Sequence, residues 1–330
     1  MTAWIWVGFI TLILALLALD LGVLNRKAHV IKTREALVWT AFWIFLALVF
    51  NGVIYFMYEN HWLGIGLHTG GESSGADAAM KYFTGYVVEK SLSLDNIFVI
   101  AVIFNYFSVP GVFQHRVLFW GILGALILRG AMIAAGAALI HRFHWVIYIF
   151  GALLIATAVK MLLSKDEKIE PDRNPLVRLA RRFYPVTPGF EGQHFFSRVD
   201  GERAITPLFL VLLVVESTDV LFAVDSIPAI FAITTDPFIV FTSNVFAILG
   251  LRSLYFALAS VMDKFRYLKV SLMLVLVYVG MKMLLSGYFI IPTPISLAVI
   301  CGILTTGIVT SIVVSNREIR RGIAPRAEGV

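Results

Sequence analysis

Cysteine is nearly missing from this 330-residue chain, and the one present is Cys301. It can close no internal disulfide and cannot build a cysteine-based metal site, which excludes a disulfide-stapled domain and a zinc-thiolate centre. Charge is also scarce. Asp, Glu, Lys and Arg make up 15% of the chain, against about 25% in a typical soluble protein. No G-x-x-x-x-G-K-S/T loop occurs, so this chain drives nothing with ATP. No nucleophile–base pair marks a hydrolase, and the expectation is a non-enzyme without a prosthetic group. What is plentiful is hydrocarbon: 59% of residues are hydrophobic. That excludes a disordered chain and an ordinary cytosolic enzyme, and leaves an all-α polytopic membrane protein.

Nine apolar segments are long enough to cross about 30 Å of hydrocarbon. They lie near 4–24, 36–58, 82–105, 117–140, 145–163, 205–233, 238–260, 270–286 and 292–314. The first reads as a span rather than a cleaved signal, because Arg26 and Lys27 follow it and no basic residue precedes it. With the N-terminus outside and the C-terminus cytoplasmic, the inner connections 25–35, 106–116, 164–204, 261–269 and 315–330 hold 20 Lys and Arg. The outer ones hold two, Lys81 and Arg142. This positive-inside imbalance accounts for the net charge of +6 without a nucleic-acid partner.

The long inner connection, 165–204, carries Pro171, Pro175, Pro185 and Pro188. It reads either as a tether or as a linker with one short basic amphipathic helix near 174–183 lying on anionic lipid. The outer loop 59–80 is polar, with His61 and His68; solvated loop histidines are the preferred reading over pH sensors.

Two stretches repeat. Glu89-Lys-Ser-Leu-Ser-Leu-Asp95-Asn96-Ile97 is matched by Asp219-Val-Leu-Phe-Ala-Val-Asp225-Ser226-Ile227. Downstream, a Leu-Gly pair leads to Arg129 in one and to Arg252 in the other, and both units close on Lys-Met-Leu-Leu-Ser, at 160–164 and 282–286. The units, about 82–164 and 205–286, contain three spans each, so their first spans run in opposite directions. Inverted repeats of this kind characterise secondary transporters, with the site near the midplane where the halves meet.

Six acids fall inside the expected spans: Asp20, Glu89, Asp95, Glu216, Asp219 and Asp225. Each would cost ~2.5–3.5 kcal/mol at mid-bilayer if left facing lipid, so they must turn inward, pair, protonate or bind a cation. Glu216 and Asp219 share a helical face. Glu89 and Asp95 do not, unless their span is partly unwound. Pro228 removes the hydrogen bond to the Val224 carbonyl and predicts a break beside Asp225 in a 29-residue span. Asn96 and Ser226 add neutral oxygens. With oxygen donors and no histidine close by, the set favours a hard divalent cation such as Mn²⁺, Mg²⁺ or Ca²⁺, and surplus carboxyls could carry protons in exchange. A purely structural ion-pair network is the competing reading, with Arg129 and Arg252 as its counter-charges. Those two arginines would neutralise an empty site, Lys90 would pair with an acid across the bundle, and Lys160 and Lys282 would snorkel at their span ends.

The stretches Glu89 to Asn96 and Glu216-Ser-Thr-Asp219-Val-Leu-Phe-Ala-Val-Asp225-Ser-Ile-Pro228 resemble the two signature blocks of TerC family membrane proteins. Leu19-Asp20-Leu21-Gly22 followed by Asn25-Arg-Lys-Ala-His resembles the first span of the pH-responsive Alx subgroup. The resemblance covers about residues 4–315, as a single membrane domain. It implies an inner-membrane protein of the LysE-type transporter group that exports Mn²⁺, with Glu89, Asp95, Glu216, Asp219 and Asp225 holding the ion and Asp20 contributing from the first span. It also carries a second class of function, since some members are tied to tellurite resistance or to membrane-protein assembly.

Overall fold

The computed structural model describes residues 3–22, 33–66, 74–163, 174–199, 201–258, 268–289 and 291–320. Each apolar segment read from the sequence falls on a helix or a helix pair. These are α1 (Ala3–Gly22), α2 (Thr33–Glu59), α3 (Gly75–Tyr106), α4 (Gly111–Arg142), α5 (Val146–Leu163), α7 (Pro207–Phe231), the pair α8 (Pro237–Leu249) and α9 (Leu251–Leu258), α10 (Leu268–Leu284) and α11 (Thr293–Arg320). Among them α2, α4, α5, α7 and α11 are long and apolar enough to cross a membrane, and α8 with α9 makes a sixth candidate bent by 40°. Asp20, Leu21 and Gly22 belong to α1, but their side chains lie outside what the structure describes, and residues 67–73, with His68, lie outside it altogether.

Three features differ from the sequence expectation. Pro228 does not break its helix, because α7 runs unbroken to Phe231. The proline costs the bond to the Val224 carbonyl, but only three helical residues follow it, and the Ala232 N–H closes the final turn on the Pro228 carbonyl at 3.1 Å. The break lies instead in the next span, at Gly250. A Cβ there would stand 3.0 Å from Trp43 Cβ and 3.1 Å from Lys90 Nζ, so a side chain would fit only if Trp43 of α2 or Lys90 of α3 gave way. Nor is α3 unwound: it is one 32-residue helix, roughly 48 Å long at 1.5 Å per residue.

The inner connection folds, from Asn174 onward. α6 (Pro175–Phe183) opens on Asn174, whose Oδ1 accepts from the Leu176 and Val177 N–H groups, with Pro175 in the first turn. Strands β1 (Phe196–Val199) and β2 (Glu202–Ile205) then form an antiparallel hairpin that leads into α7. This hairpin was not expected. Its four-residue strands carry Arg198, Glu202 and Arg203 and have no apolar run to announce them.

Packing exchanges partners between the two units. α3 lies on α8, α4 lies on α7, α5 pairs with α10, and α3 meets α7. A reciprocal close approach joins α5 and α10. A Cβ on Gly151 would stand 2.9 Å from the Gly280 carbonyl, and a Cβ on Gly280 would stand 2.9 Å from the Gly151 carbonyl. Such reciprocal contact is how small residues let membrane helices touch backbone to backbone. Elsewhere aromatic rings fill the space: Phe9, Phe50, Tyr82, Phe238 and Phe246 form one buried cluster where α1, α2, α3 and α8 converge.

Candidate functional site

Arg129 is the largest fully buried side chain among the described residues, 1% exposed. α4 delivers it to the meeting point of α3 and α7. Its Nη1 pairs with Glu89 Oε1 and reaches Ser226 Oγ at 3.3 Å. Its Nη2 and Nε bond the two oxygens of Asp219, at 3.0 and 3.3 Å, the two-pronged geometry that suits guanidinium to carboxylate. The other oxygen of Glu89 accepts from Asn244 Nδ2 of α8 at 3.1 Å, and Ser93 donates to Glu89 Oε1 at 3.4 Å. Glu89 is wholly buried, so this ring of donors is what keeps a charge there tolerable.

Glu216 stands one turn before Asp219 on α7. Its carboxylate lies directly over Gly124 of α4, in the space a Cβ would need. Glu89 and Asp219 share the Arg129 guanidinium, Glu216 stands one turn from Asp219, and the three carboxylates, all ionised, leave two negative charges in excess of Arg129. A cavity of about 30 Å³ adjoins this group, bounded by Asn96, Thr218 and Asp219 and otherwise by apolar side chains such as Ile100, Phe222 and Leu251. That is room for about one water-sized occupant.

Asp95 and Asp225 are not among the side chains that bond Arg129. Gly85 of α3 packs on Ile230 of α7, while Glu89 and Asp219 share Arg129, so the two helices run antiparallel. That pairing sets Glu89 level with Ser226, both on Arg129 Nη1, and Asn96 level with Asp219, both lining the same cavity, so Asp225 and Asp95 each stand one residue from those levels. Asp225 accepts from Thr157 Oγ1 of α5 at 2.7 Å, and Lys160 of α5 acts on the same carboxylate electrostatically. Lys269 of α10 acts in the same way on Asp95. No three His, Cys, Asp or Glu side chains converge to hold a metal among the described residues.

The remaining basic residues divide. Lys90 does not take an acid across the bundle but donates to the Ala247 carbonyl at 3.1 Å, one of the acceptors that the break at Gly250 leaves without an intrahelical partner. Arg252 is buried at the start of α9 and bonds His115 Nε2 of α4 at 2.8 Å. Lys160 is exposed at its helix end. Sequence reasoning passed over Asn244 and Thr157, although a lone amide in an apolar run was a usable signal. It also passed over Asp236, whose Oδ1 caps α8 and whose Oδ2 accepts from Tyr58 OH at 2.7 Å.

Comparison with known proteins agrees with this architecture. The family model described as "Integral membrane protein TerC family" matches residues 74–319. A Myxococcus xanthus protein named "Uncharacterized membrane protein STKORF319" is 52% identical over 94% of this chain and 92% of its own length. A Salmonella typhi protein named "Putative membrane-bound redox modulator Alx" is 44% identical over 96% of each chain. The Escherichia coli K12 protein of the same name is 45% identical over 92% of each. No solved structure matches.

Proposed function

The chain belongs to the TerC family of integral membrane proteins, and from that premise we propose that it is a secondary transporter exporting Mn²⁺, or a similar hard divalent cation, across the inner membrane. Its N-terminus lies outside and its C-terminus in the cytoplasm, as the basic loops require. The observation that carries this reading is Arg129 held between buried Glu89 and half-buried Asp219, with half-buried Glu216 one turn from Asp219. The formal excess of two negative charges matches the charge of one divalent ion, and the donors are oxygens. Arg129 serves as the tethered cation of the ion-free state. An arriving ion competes with it for Asp219 and Glu89, with Asn96 and Thr218 beside the path. Asp95 and Asp225, each next to a residue of the central group without bonding Arg129, are the further carboxylates the ion or an exchanged proton meets. The exchange of packing partners between the two three-helix units supports an inverted repeat and alternating access.

The name redox modulator, carried by the Salmonella and Escherichia relatives, suggests another role. A dithiol–disulfide couple needs two cysteines, and this chain has Cys301 alone, so thiol exchange within it is not favoured. A scaffold or assembly role, including the one tied to tellurite resistance, is the second reading. It is favoured by how fully Arg129 is already satisfied.

Mn²⁺ flux into inside-out membrane vesicles containing a Mn²⁺-quenched dye separates the two. Asp219→Asn and Asp225→Asn are close in shape to the native side chains. Transport requires that both lose at least tenfold in rate at unchanged protein level. Native flux from both variants overturns the export reading and leaves the scaffold.

A further inference from the structure

We propose that α6 and the β1–β2 hairpin form a binding surface for the anionic phospholipid headgroups of the leaflet they border. This rests on family membership and on the side chains of the two elements, and it is independent of the transported ion.

Around α6 three faces separate. Val177 is fully buried against α7 and the hairpin. Leu176, Leu179 and Phe183 form a second stripe that stays exposed, Leu179 by 53% and Phe183 by 69%. Arg178, Arg181 and Arg182 occupy the third. A helix of this kind, held by the protein on one side and offering leucine and phenylalanine beside arginine on the other, matches an interfacial helix with its apolar stripe among acyl chains and its guanidiniums at phosphate level. The Asn174 side chain bonds Ser217 Oγ of α7 at 2.5 Å, which pins the start of α6 against a candidate membrane span.

The hairpin extends the same surface. Arg198 and Arg203 face each other directly across the two strands, and like charges so placed are destabilising unless something neutralises them. Neither has a carboxylate partner among the described residues. Of the described local acids, Glu191 accepts from the Ser197 hydroxyl and Glu202 sits opposite Val199. With Tyr184, Phe196 and Ser197 the two arginines line an open groove of about 670 Å³. Two guanidiniums over an apolar floor are the recognition chemistry of a phosphodiester with attached acyl chains. Free phosphate would satisfy the charges and leave Phe196 and Tyr184 in water.

The test uses the full chain in nanodiscs, with Cys301→Ser as background and spin labels at Leu179→Cys or Arg182→Cys. In discs containing phosphatidylglycerol the label at 179 should relax with oxygen and the label at 182 with an aqueous nickel chelate. Arg198→Gln with Arg203→Gln should weaken binding of short-chain phosphatidylglycerol roughly thirty-fold, at about 1 kcal/mol per arginine, and leave phosphatidylcholine binding unchanged. Arg198→Lys with Arg203→Lys should retain most of the binding, which separates lost charge from lost folding. Any of three results overturns the proposal: a label at 179 open to the chelate in these discs, a label at 179 shielded from both reagents as a second protein copy would shield it, or inorganic phosphate displacing the lipid at equal concentration.

Discussion

Leu123-Gly124 leads to Arg129 in α4, and Leu249-Gly250 leads to Arg252 where α8 meets α9. The two blocks read alike, and the fold uses them differently. In the first, the helix is continuous and a carboxylate, Glu216, rests over the glycine. In the second, the helix breaks and an ammonium, Lys90, rests over it. Both glycines give up a side chain so that a charge from a neighbouring helix can approach the backbone, but the charges are opposite in sign. The arginines then diverge. Arg129 gathers Glu89 and Asp219, which are each other's counterparts in the repeat, while Arg252 turns to His115. Two blocks that read alike form one charged centre and one capped bend.

The largest effect expected from breaking this asymmetry is at Arg129. Arg129→Gln leaves buried carboxylates uncompensated and should cost ~3–5 kcal/mol, seen as a lowered Tm in detergent. Adding Asp219→Asn should recover part of that loss. Asp219→Asn should recover nothing in an Arg252→Gln background, and equal rescue of both arginines would erase the distinction. Next come the glycines. Gly124→Ala and Gly250→Ala should each cost ~1–3 kcal/mol through overpacking. In a vesicle flux assay, Gly124→Ala should also weaken the apparent affinity for the cation, because it displaces Glu216. Gly250→Ala should act on stability first, through Trp43 and Lys90. The smallest change lies outside the matched blocks. Thr157→Val removes the one bond that fixes Asp225 from α5, worth ~0.5–1.5 kcal/mol, and it should slow flux without shifting Tm by more than a few degrees.

Long apolar runs announced the helices, since a bilayer leaves a backbone few other ways to satisfy its hydrogen bonds. The buried acids were equally legible, because a charge in such a run has to be explained. What remained hidden depended on contacts between distant segments. Pro228 was the visible candidate for a break, yet the bend is at Gly250, where Trp43 from α2 packs tightly against the backbone. No local pattern could report that approach. The hairpin was hidden for a related reason: its strands are short and charged, and they owe their form to packing on α7, where Phe196 meets the Phe209 ring at 4.9 Å. The sharing of Arg129 by two helices could not be read from spacing either, because the repeat predicts two equivalent arginines and the fold makes one of them central.

The single arginine among three acids also bears on voltage. On the proposed transport reading, the site without its cargo carries two net negative charges when its carboxylates are ionised, and the loaded site carries none. Membrane potential exerts about 2.3 kcal/mol per charge for each 100 mV crossed. An energised membrane, negative inside, would therefore act on the return of the empty carrier and leave the loaded step nearly untouched, so that the electric field would set the pace of resetting rather than of export.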